Sequence, residues 1–577
     1  MGTLQALIQR LQLLAILAGI SAADVVGAQA IVPERPGDDR QRFRELPLEK
    51  PRPAPEFTLP PVTPPDPSDQ PLSAQLRIEV KDIKLEGNRV FSDLDLVEVT
   101  RRYEGREISS EDLQALRREL TLYYVDRGYI NSGAVIPDQE VKDGIITIRI
   151  VEGRLTAIDV TGNEWLRKSY VKDRVQLDSQ GALNLQRLQE QLQLLQQDRL
   201  IDRVNAELSP GLAPGKAVLK VRIAERRPYE LGFGFNNHRT PSVGALRGEV
   251  YASMFNVSGF GDALSFRYGV TEGLDEVTTS YAFPLTARGT LLRLFYDQNS
   301  SQVIEAPFDL IDITSETQSG GLSISHPFYH TPQTQVVGEL RLERRHSETF
   351  LLGERFSFSA GPKDGMSDVS VIRASQEWVH RTPDQVLAAR STFSVGVDIL
   401  GATINAGAVP DGRFFAWLGQ FQWVRRLWDT DNQLILRSDL QVSADPLLPL
   451  EKLAVGGAAT VRGYRENVFV RDNGWVSSLE FRIPIFRLPL PWLSQDAQDG
   501  WMQLAPFFDA GWSTNTDDDT PSPETIYSAG LGLRWDPSPR VHSEFYWGHP
   551  FKEVEDPIAE HDLQDEGIHF ALNVKIF

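Results

Sequence analysis

Tyr527-Ser528-Ala529-Gly530-Leu531-Gly532-Leu533-Arg534-Trp535 places an apolar side chain at every odd position and a small or charged one at every even position. Successive side chains of a strand point to opposite faces, so this stretch has one apolar face and one polar face. The same period recurs upstream. Tyr229, Leu231, Phe233 and Phe235 alternate with Glu230, Gly232, Gly234 and Asn236, and Leu264, Phe266, Tyr268 and Val270 alternate with Ser265, Arg267, Gly269 and Thr271. A half-buried soluble sheet also alternates, so the period alone leaves two readings open.

Three features select a bilayer. The polar face carries charges and glycines in strand after strand, as a water-filled lumen requires. The segments run about nine to twelve residues, the length of a tilted strand crossing a membrane. Trp417, Trp423, Trp428, Trp475, Trp501 and Trp547 sit near segment ends, where interfacial girdles belong. About sixteen segments follow Tyr229, near 229, 245, 262, 276, 289, 319, 334, 369, 390, 413, 432, 474, 501, 526, 540 and 567. The expected fold for residues 228–577 is therefore a transmembrane β-barrel of about 16 antiparallel strands. An even count puts both ends of the barrel on one side of the membrane.

Composition narrows the function. A net charge of −20 argues against nucleic acid, and the absence of cysteine removes disulfides, thiolate metal sites and cysteine catalysis. No apolar run beyond the N-terminus reaches the roughly 20 residues of a spanning helix, which leaves a β-barrel untouched. No G-x-S-x-G, Walker loop or H-E-x-x-H occurs, so no enzyme activity, metal or cofactor is expected. His326 and His330 are four apart, but Pro327 between them argues for a turn. Asp517-Asp518-Asp519 reads as a solvated loop tip.

Upstream of the barrel the chain has three parts. Residues 1–30 read as a secretory signal: Arg10, an apolar run from Leu11 to Ile20, and Ala28-Gln29-Ala30 as a small-x-small cleavage site. Residues 31–75 are proline-rich and read as a solvated, extended linker, with a possible short polar helix at 38–46. Then a repeat appears. Ile83-Lys84-Leu85-Glu86-Gly87-Asn88 returns as Ile158-Asp159-Val160-Thr161-Gly162-Asn163, a strand running into a Gly-Asn turn. Each copy is followed by a helix with apolar residues at i, i+3 and i+7: Leu113, Leu116 and Leu120, then Leu185, Leu188, Leu192 and Leu195. Two strands close each unit. This predicts tandem β-α-α-β-β modules at 76–153 and 154–227. A sheet of three strands leaves an exposed edge, and such an edge can bind an unfolded client as an added strand.

One connection is anomalous. About thirty residues, 445–473, separate the eleventh and twelfth segments, and they include Gly456-Gly457-Ala458-Ala459-Thr460-Val461-Arg462-Gly463-Tyr464. Leu453, Val455, Val461, Tyr464, Val468 and Phe469 supply too much apolar material for a solvated loop. If the first strand runs outward, this loop starts on the extracellular side. On the thirteenth strand, Asp509 faces the lumen when Phe508 and Ala510 face out.

Signal, proline-rich linker, two modules and an alternating domain ending in Phe577 together resemble the two-partner secretion transporters (haemolysin and filamentous haemagglutinin exporter type). These share a superfamily with outer-membrane barrel-assembly factors. Val461-Arg462-Gly463-Tyr464 is similar to the family's VRGY loop motif, and Phe507-x-Asp509-x-Gly511 to its F-x-D-x-G strand motif. The modules resemble polypeptide-transport-associated (POTRA) domains, whose turns Gly87-Asn88 and Gly162-Asn163 would mark. The resemblance implies an outer-membrane barrel with periplasmic modules that exports one large partner polypeptide to the cell surface. It also implies that the long loop folds inward and pairs Arg462 with Asp509. The implied partners are that secreted polypeptide, outer-membrane lipid and lipopolysaccharide, and the assembly machinery during biogenesis. Phe577 is the terminal aromatic expected of such barrels, whereas Lys575 stands where an aromatic or apolar residue is usual. A barrel-assembly factor would share barrel, loop and motif, and more than two modules would favour it. A passive porin or surface receptor has no need of tandem modules.

Overall fold

The structure, a computed structural model, describes residues 55–59, 77–177, 181–428, 430–494, 496, 499–517, 519–554 and 561–577. The expected signal 1–30, the helix at 38–46 and Asp518 lie outside the described residues.

β1 (Glu56–Thr58) precedes two similar modules. The first comprises β2 (Arg77–Val80), β3 (Asp82–Glu86), α1 (Asp93–Thr100), β4 (Arg106–Ser109), α2 (Ser110–Val125), β5 (Gly133–Val135) and β6 (Ile145–Val151). The second comprises β7 (Arg154–Thr161), α3 (Lys168–Gln176), α4 (Leu185–Gln197), β8 (Ile201–Pro210) and β9 (Lys216–Glu225). Ser92 and Ser109 start α1 and α2 with reciprocal capping boxes to Asp95 and Asp112. Leu116, Leu120 and Tyr124 then fall on one buried face of α2, as Leu188, Leu192 and Leu195 do on α4.

The repeat is exact at the turn that the sequence singled out. Gly87 and Gly162 both adopt left-handed φ, +92° and +81°. A Cβ there would meet the carbonyl oxygen of Ile150 at 2.5 Å and of Ile223 at 2.2 Å, so the turn needs glycine for both conformation and space. Asn88 Nδ2 donates to Phe91 O and Asn163 Nδ2 to Leu166 O, at 3.1 and 2.9 Å. Each turn is tied to the end of the central strand by a carboxylate. Glu152 accepts from the amides of Arg89 and Val90, and Glu225 from those of Glu164, Trp165 and Leu166.

The first module's sheet runs β3-β6-β5, with β2 and β4 forming a separate pair. The second runs β1-β8-β9-β7, and this corrects two expectations. Part of the proline-rich segment is not a free spacer, and the second sheet has four strands. β1 pairs in parallel with β8 over Asn205, Ala206 and Glu207, while Phe57 packs on the module core and Asn205 Nδ2 donates to Glu56 Oε2. A strand edge left bare is a template for added chain, and here the protein covers part of that edge itself.

Sixteen antiparallel strands then close into a barrel. The first eight are Tyr229–Asn236, Arg247–Met254, Ala263–Val270, Leu274–Pro284, Leu291–Gln302, Ile313–His330, Thr334–Leu351 and Met366–Arg381. The second eight are Gln385–Gly396, Phe415–Leu427, Asn432–Ser443, Asn473–Arg487, Trp501–Thr514, Thr525–Ser538, Val541–Pro550 and Ile568–Lys575. Phe233, Phe235, Leu264, Phe266, Leu531 and Leu533 lie exposed on the outer wall, while Asp439, Glu480 and Asp509 are buried inside. The turn expected at Pro327 is instead a β-bulge: the sixth strand runs on to His330, and the register shifts between Pro327 and Tyr329. A proline cannot donate to the ladder, and a bulge is one of the few places a strand tolerates it. His326 Nδ1 is 2.8 Å from Thr290 Oγ1, and no metal-holding cluster occurs among the described residues.

The seam between the first and sixteenth strands pairs five residues on each side, from Gly232↔Lys575 to Asn236↔Ala571. Asn237 lengthens it: its side chain donates to Ile568 O and accepts from the amide of Phe570, copying a backbone pair. Lys575, the residue that departs from the usual pattern, reaches across the seam to Glu230 at 3.4 Å. Phe577 stands edge-on to Tyr229, ring centroids 5.4 Å apart. Both chain ends of the barrel are thus at the end where the second module docks. There Arg167 donates to the carbonyls of Gly259 and Ser258 and lies 4.3 Å from the Phe260 ring, while Arg199 covers Phe255 at 3.2 Å.

Candidate functional site: a loop locked inside the barrel

The long loop leaves the far end of the eleventh strand and returns into the lumen. Leu453–Val455 and Phe469–Arg471 pair as a short ribbon, which meets part of their backbone hydrogen bonding within the loop itself. Leu453, Val455, Val461, Tyr464 and Phe469 pack with Val476 and Ile526 of the wall into one buried cluster. This is the burial that the loop's apolar content demanded.

At the tip, Arg462 is 5% exposed. An arginine this deep is tolerated only if its charge and donors are met. Its amide and Nε both donate to Asp509 Oδ2, at 3.0 and 2.8 Å, and its Nη2 donates to Asp509 Oδ1 at 2.9 Å. Nη1 donates to Glu480 and Nη2 also reaches Ser478 Oγ. Two aromatic rings enclose the guanidinium, Phe507 at 3.7 Å and Tyr546 at 4.7 Å from Cζ. Asp509 is fully buried, and Ser478 and Ser528 stand opposite it on the neighbouring strands. Ser528 Oγ donates to the carbonyl of Arg462, fixing the loop backbone as well as its side chain.

The neighbouring motif residues each have a place. Gly463, at φ +92°, slides past the fifteenth strand so closely that a Cβ would lie 2.9 Å from the Gly548 carbonyl group. Its amide donates to His569 Nε2. Tyr464 donates its hydroxyl to the carbonyls of Tyr527 and Lys552. On the wall, Phe507 supplies the ring under Arg462, and Gly511 supplies room: a Cβ there would lie 2.6 Å from Val455 and 3.0 Å from Val461.

Sequence reasoning missed Glu480, which shares Arg462 with Asp509 and also accepts from Arg482. It also missed Arg465, whose guanidinium joins the loop to Glu305 at 2.8 Å and to Asp565 at 2.6 Å, in two other far-end loops. Glu466 is positioned nearby, its amide donating to Gln564 Oε1, and Gln564 Nε2 in turn holds the carbonyls of Asn237 and Arg239. No local pattern marks these residues, since their partners come from distant loops. The Gly-Asn turns at Gly87 and Gly162 lie in the modules, away from this lock, and Phe577 lies at the module end of the seam.

What the arrangement can do is mechanical. The loop crosses a charge-lined lumen and is held by ion pairs, hydrogen bonds and apolar packing to a wall whose sixteen strands close without it.

Known proteins resemble this chain along most of its length. The outer membrane transporter CdiB of Dickeya dadantii is 23% identical over 425 residues, covering 71% of this chain and 73% of the relative. The hemolysin transporter protein ShlB of Serratia marcescens is 24% identical over 426 residues, covering 70% and 72%. Among solved structures, CdiB from Escherichia coli matches with a TM-score of 0.67 at 21% identity, over 93% of this chain and 96% of that one. BamA from Haemophilus ducreyi, lacking its POTRA domains 1–3, matches at 0.51 and 15% identity over 87% and 100%. At these identities the structural likeness speaks for the fold. The profile of ShlB-type POTRA domains matches residues 78–153, the first module. A second profile takes in residues 215–535, from the last strand of the second module through the Arg462 lock to the fourteenth barrel strand. Since that second profile spans more than half of the chain, this protein belongs to the haemolysin secretion/activation family ShlB/FhaC/HecB.

Proposed function

We propose that this outer-membrane protein exports one large secreted polypeptide, adhesin-like or haemolysin-like, which its periplasmic modules capture unfolded and pass to the barrel. The observation that carries this reading is a stoppered lumen at one end of which two sheet-bearing modules are seated, the second of them directly on barrel turn 255–262. A passive pore needs neither the modules nor the lock.

Client capture would use the edge of β8. That strand runs over ten residues, and among the described residues β1 is the segment paired along this edge, over three of them. Main-chain hydrogen bonds supply affinity in such a mode, and pockets for alternate side chains supply selectivity. β1 is then a competitor that a client has to displace. The pocket that takes Phe57 would suit an aromatic or large aliphatic client residue.

The lock formed by Val461, Arg462, Gly463 and Tyr464 against Phe507, Asp509 and Gly511 would hold the barrel in a resting state and yield during transport. No nucleotide or catalysis is invoked; folding of the client at the cell surface would draw the chain outward. Lipid and lipopolysaccharide would surround the apolar wall, and the outer-membrane assembly machinery would insert the barrel, with Phe577 at the terminal strand as its signal. Deleting residues 76–226 tests the division of labour. Client binding should disappear while an ion-conducting barrel remains, and full client binding by the truncated protein would remove the modules from the capture step.

A further inference from the structure

The lumenal loop is gripped at a second place, by charges of the opposite arrangement. At its stem, Glu451 is 7% exposed and belongs to neither family motif. Arg373 Nη2 lies 3.0 Å from each of its carboxylate oxygens, and Arg345 Nη1 donates to Oε1 at 3.0 Å and to Leu450 O at 2.6 Å. Glu343 completes the set, accepting from Arg373 Nε at 3.1 Å and facing Arg345 at 3.7 Å. Arg345 and Glu343 stand on the seventh strand and Arg373 on the eighth. The tip contacts lie on different strands, the twelfth to the sixteenth.

We propose that Glu451 is a second hold of the loop, independent of Arg462, which keeps the stem seated when the tip is released. Three observations support it. The quartet Arg345, Arg373, Glu343 and Glu451 balances two cations with two anions, and only one member belongs to the loop. Lifting the stem would therefore leave a buried excess of positive charge on the seventh and eighth strands. The stem also has its own apolar packing: Leu447, Leu448 and Leu450 are buried against Val369, Val371, Phe414 and Ala416, a cluster that shares no residue with the one around the tip. Finally, the two legs of the stem are clasped together. Gln441 Nε2 donates to the carbonyls of Glu451 and Asp472, and Asp472 accepts from the amide of Leu447. The inference rests on the reading that the loop moves during export. It adds that the movement has two steps, with the tip swinging first on a stem that stays in place.

The chain has no cysteine, so single reporters can be placed in the full-length protein. Val461→Cys reports the tip and Leu448→Cys the stem, both at residues with no exposure in the closed barrel. Labelling by a bulky maleimide needs no client, so it succeeds or fails independently of the export reading. In purified protein in lipid vesicles, Arg462→Ala should accelerate labelling at Val461→Cys by on the order of tenfold or more while leaving Leu448→Cys slow. Glu451→Gln should accelerate Leu448→Cys by a similar factor. Arg373→Gln, which removes the cation that meets both carboxylate oxygens and leaves the loop sequence intact, should do the same. If Arg462→Ala alone exposes the stem as fully as the Arg462→Ala, Glu451→Gln double variant, there is one hold and the proposal fails. It fails equally if neither Glu451→Gln nor Arg373→Gln changes labelling of the stem in barrels that keep their heat-resistant mobility.

Discussion

Arg462 and Asp509 are joined by three hydrogen bonds of 2.8 to 3.0 Å, two from the guanidinium and one from the backbone amide of the arginine itself. The side chain and the path of the loop are thus fixed by one carboxylate. Arg462→Ala leaves Asp509 and Glu480 buried without their shared cation, a change worth about 3–5 kcal/mol when such a pair is broken. The loop should lose its seat, and export should fall strongly while the barrel still reaches the membrane. Arg462→Lys should recover only part of the loss, because an ammonium cannot bridge Asp509 and Glu480 as a planar fork does. Secretion assays with outer-membrane fractionation check both. Normal secretion by Arg462→Ala would remove the loop from the mechanism.

Gly511 separates space from charge. Gly511→Val leaves every charged group of the lock in place but drives carbon atoms into Val455 and Val461. Overpacking a filled site costs about 1–3 kcal/mol. The loop should become sensitive to added protease in this variant, to a lesser degree than in Arg462→Ala. Equal protection in wild type and Gly511→Val would show that the loop does not sit against this strand.

Phe57 sets how firmly β1 covers the edge of β8. Phe57→Ala removes its contact with the module core, and truncating a half-buried aromatic on this scale weakens a contact by about 1–2 kcal/mol. If β1 competes with the client, Phe57→Ala should tighten client binding to the modules by roughly tenfold per 1.4 kcal/mol released. Calorimetry or polarisation with an unfolded client segment reads this directly. Weaker binding would mean that β1 helps to build the site.

Asp565 gives the far-end latch a pH dependence. Burial alone would push its carboxyl up, but hydrogen bonds from Arg465 and from the amide of Asp562 hold it below the usual carboxylate range. A lowered carboxylate contributes its full stabilisation above the ordinary value of about 4, and that contribution is lost as pH falls through the folded-state value. Conductance in planar bilayers should stay flat as the outer side is acidified to about pH 4 and rise below it. Asp565→Asn should conduct more at neutral pH and lose that step. An unchanged step in Asp565→Asn would assign it to other carboxylates.

Much of this architecture was legible because it repeats a short period. Strands such as Tyr527–Trp535 announce themselves residue by residue, and the sixteen segments fall on the sixteen observed strands. Alternation shows that Asp509 faces inward, and the resemblance of Phe507-x-Asp509-x-Gly511 to a family motif is what pairs it with Arg462. Glu480 has the same alternation around it, yet nothing local distinguishes a carboxylate that meets Arg462 from one that faces water. Glu451 is harder still, since its partner Arg373 is 78 residues away. Glu152 and Glu225 carry the same role in the two modules, but a lone glutamate after a strand has no signature until the turn it caps is seen. β1 was illegible for another reason. Three residues among prolines have no period, and they become a strand only because β8 offers an unfilled edge.

Export of a partner polypeptide through this barrel can be followed in cells. A direct measurement co-expresses the chain with a large secreted polypeptide of the adhesin or haemolysin type taken from the same genome and follows that polypeptide between periplasm, cell surface and medium. The polypeptide should reach the surface or medium only when the full chain is present and should stay in the periplasm with Arg462→Ala. Equal release without the chain, or a loss of other outer-membrane barrels in its absence, would contradict this role.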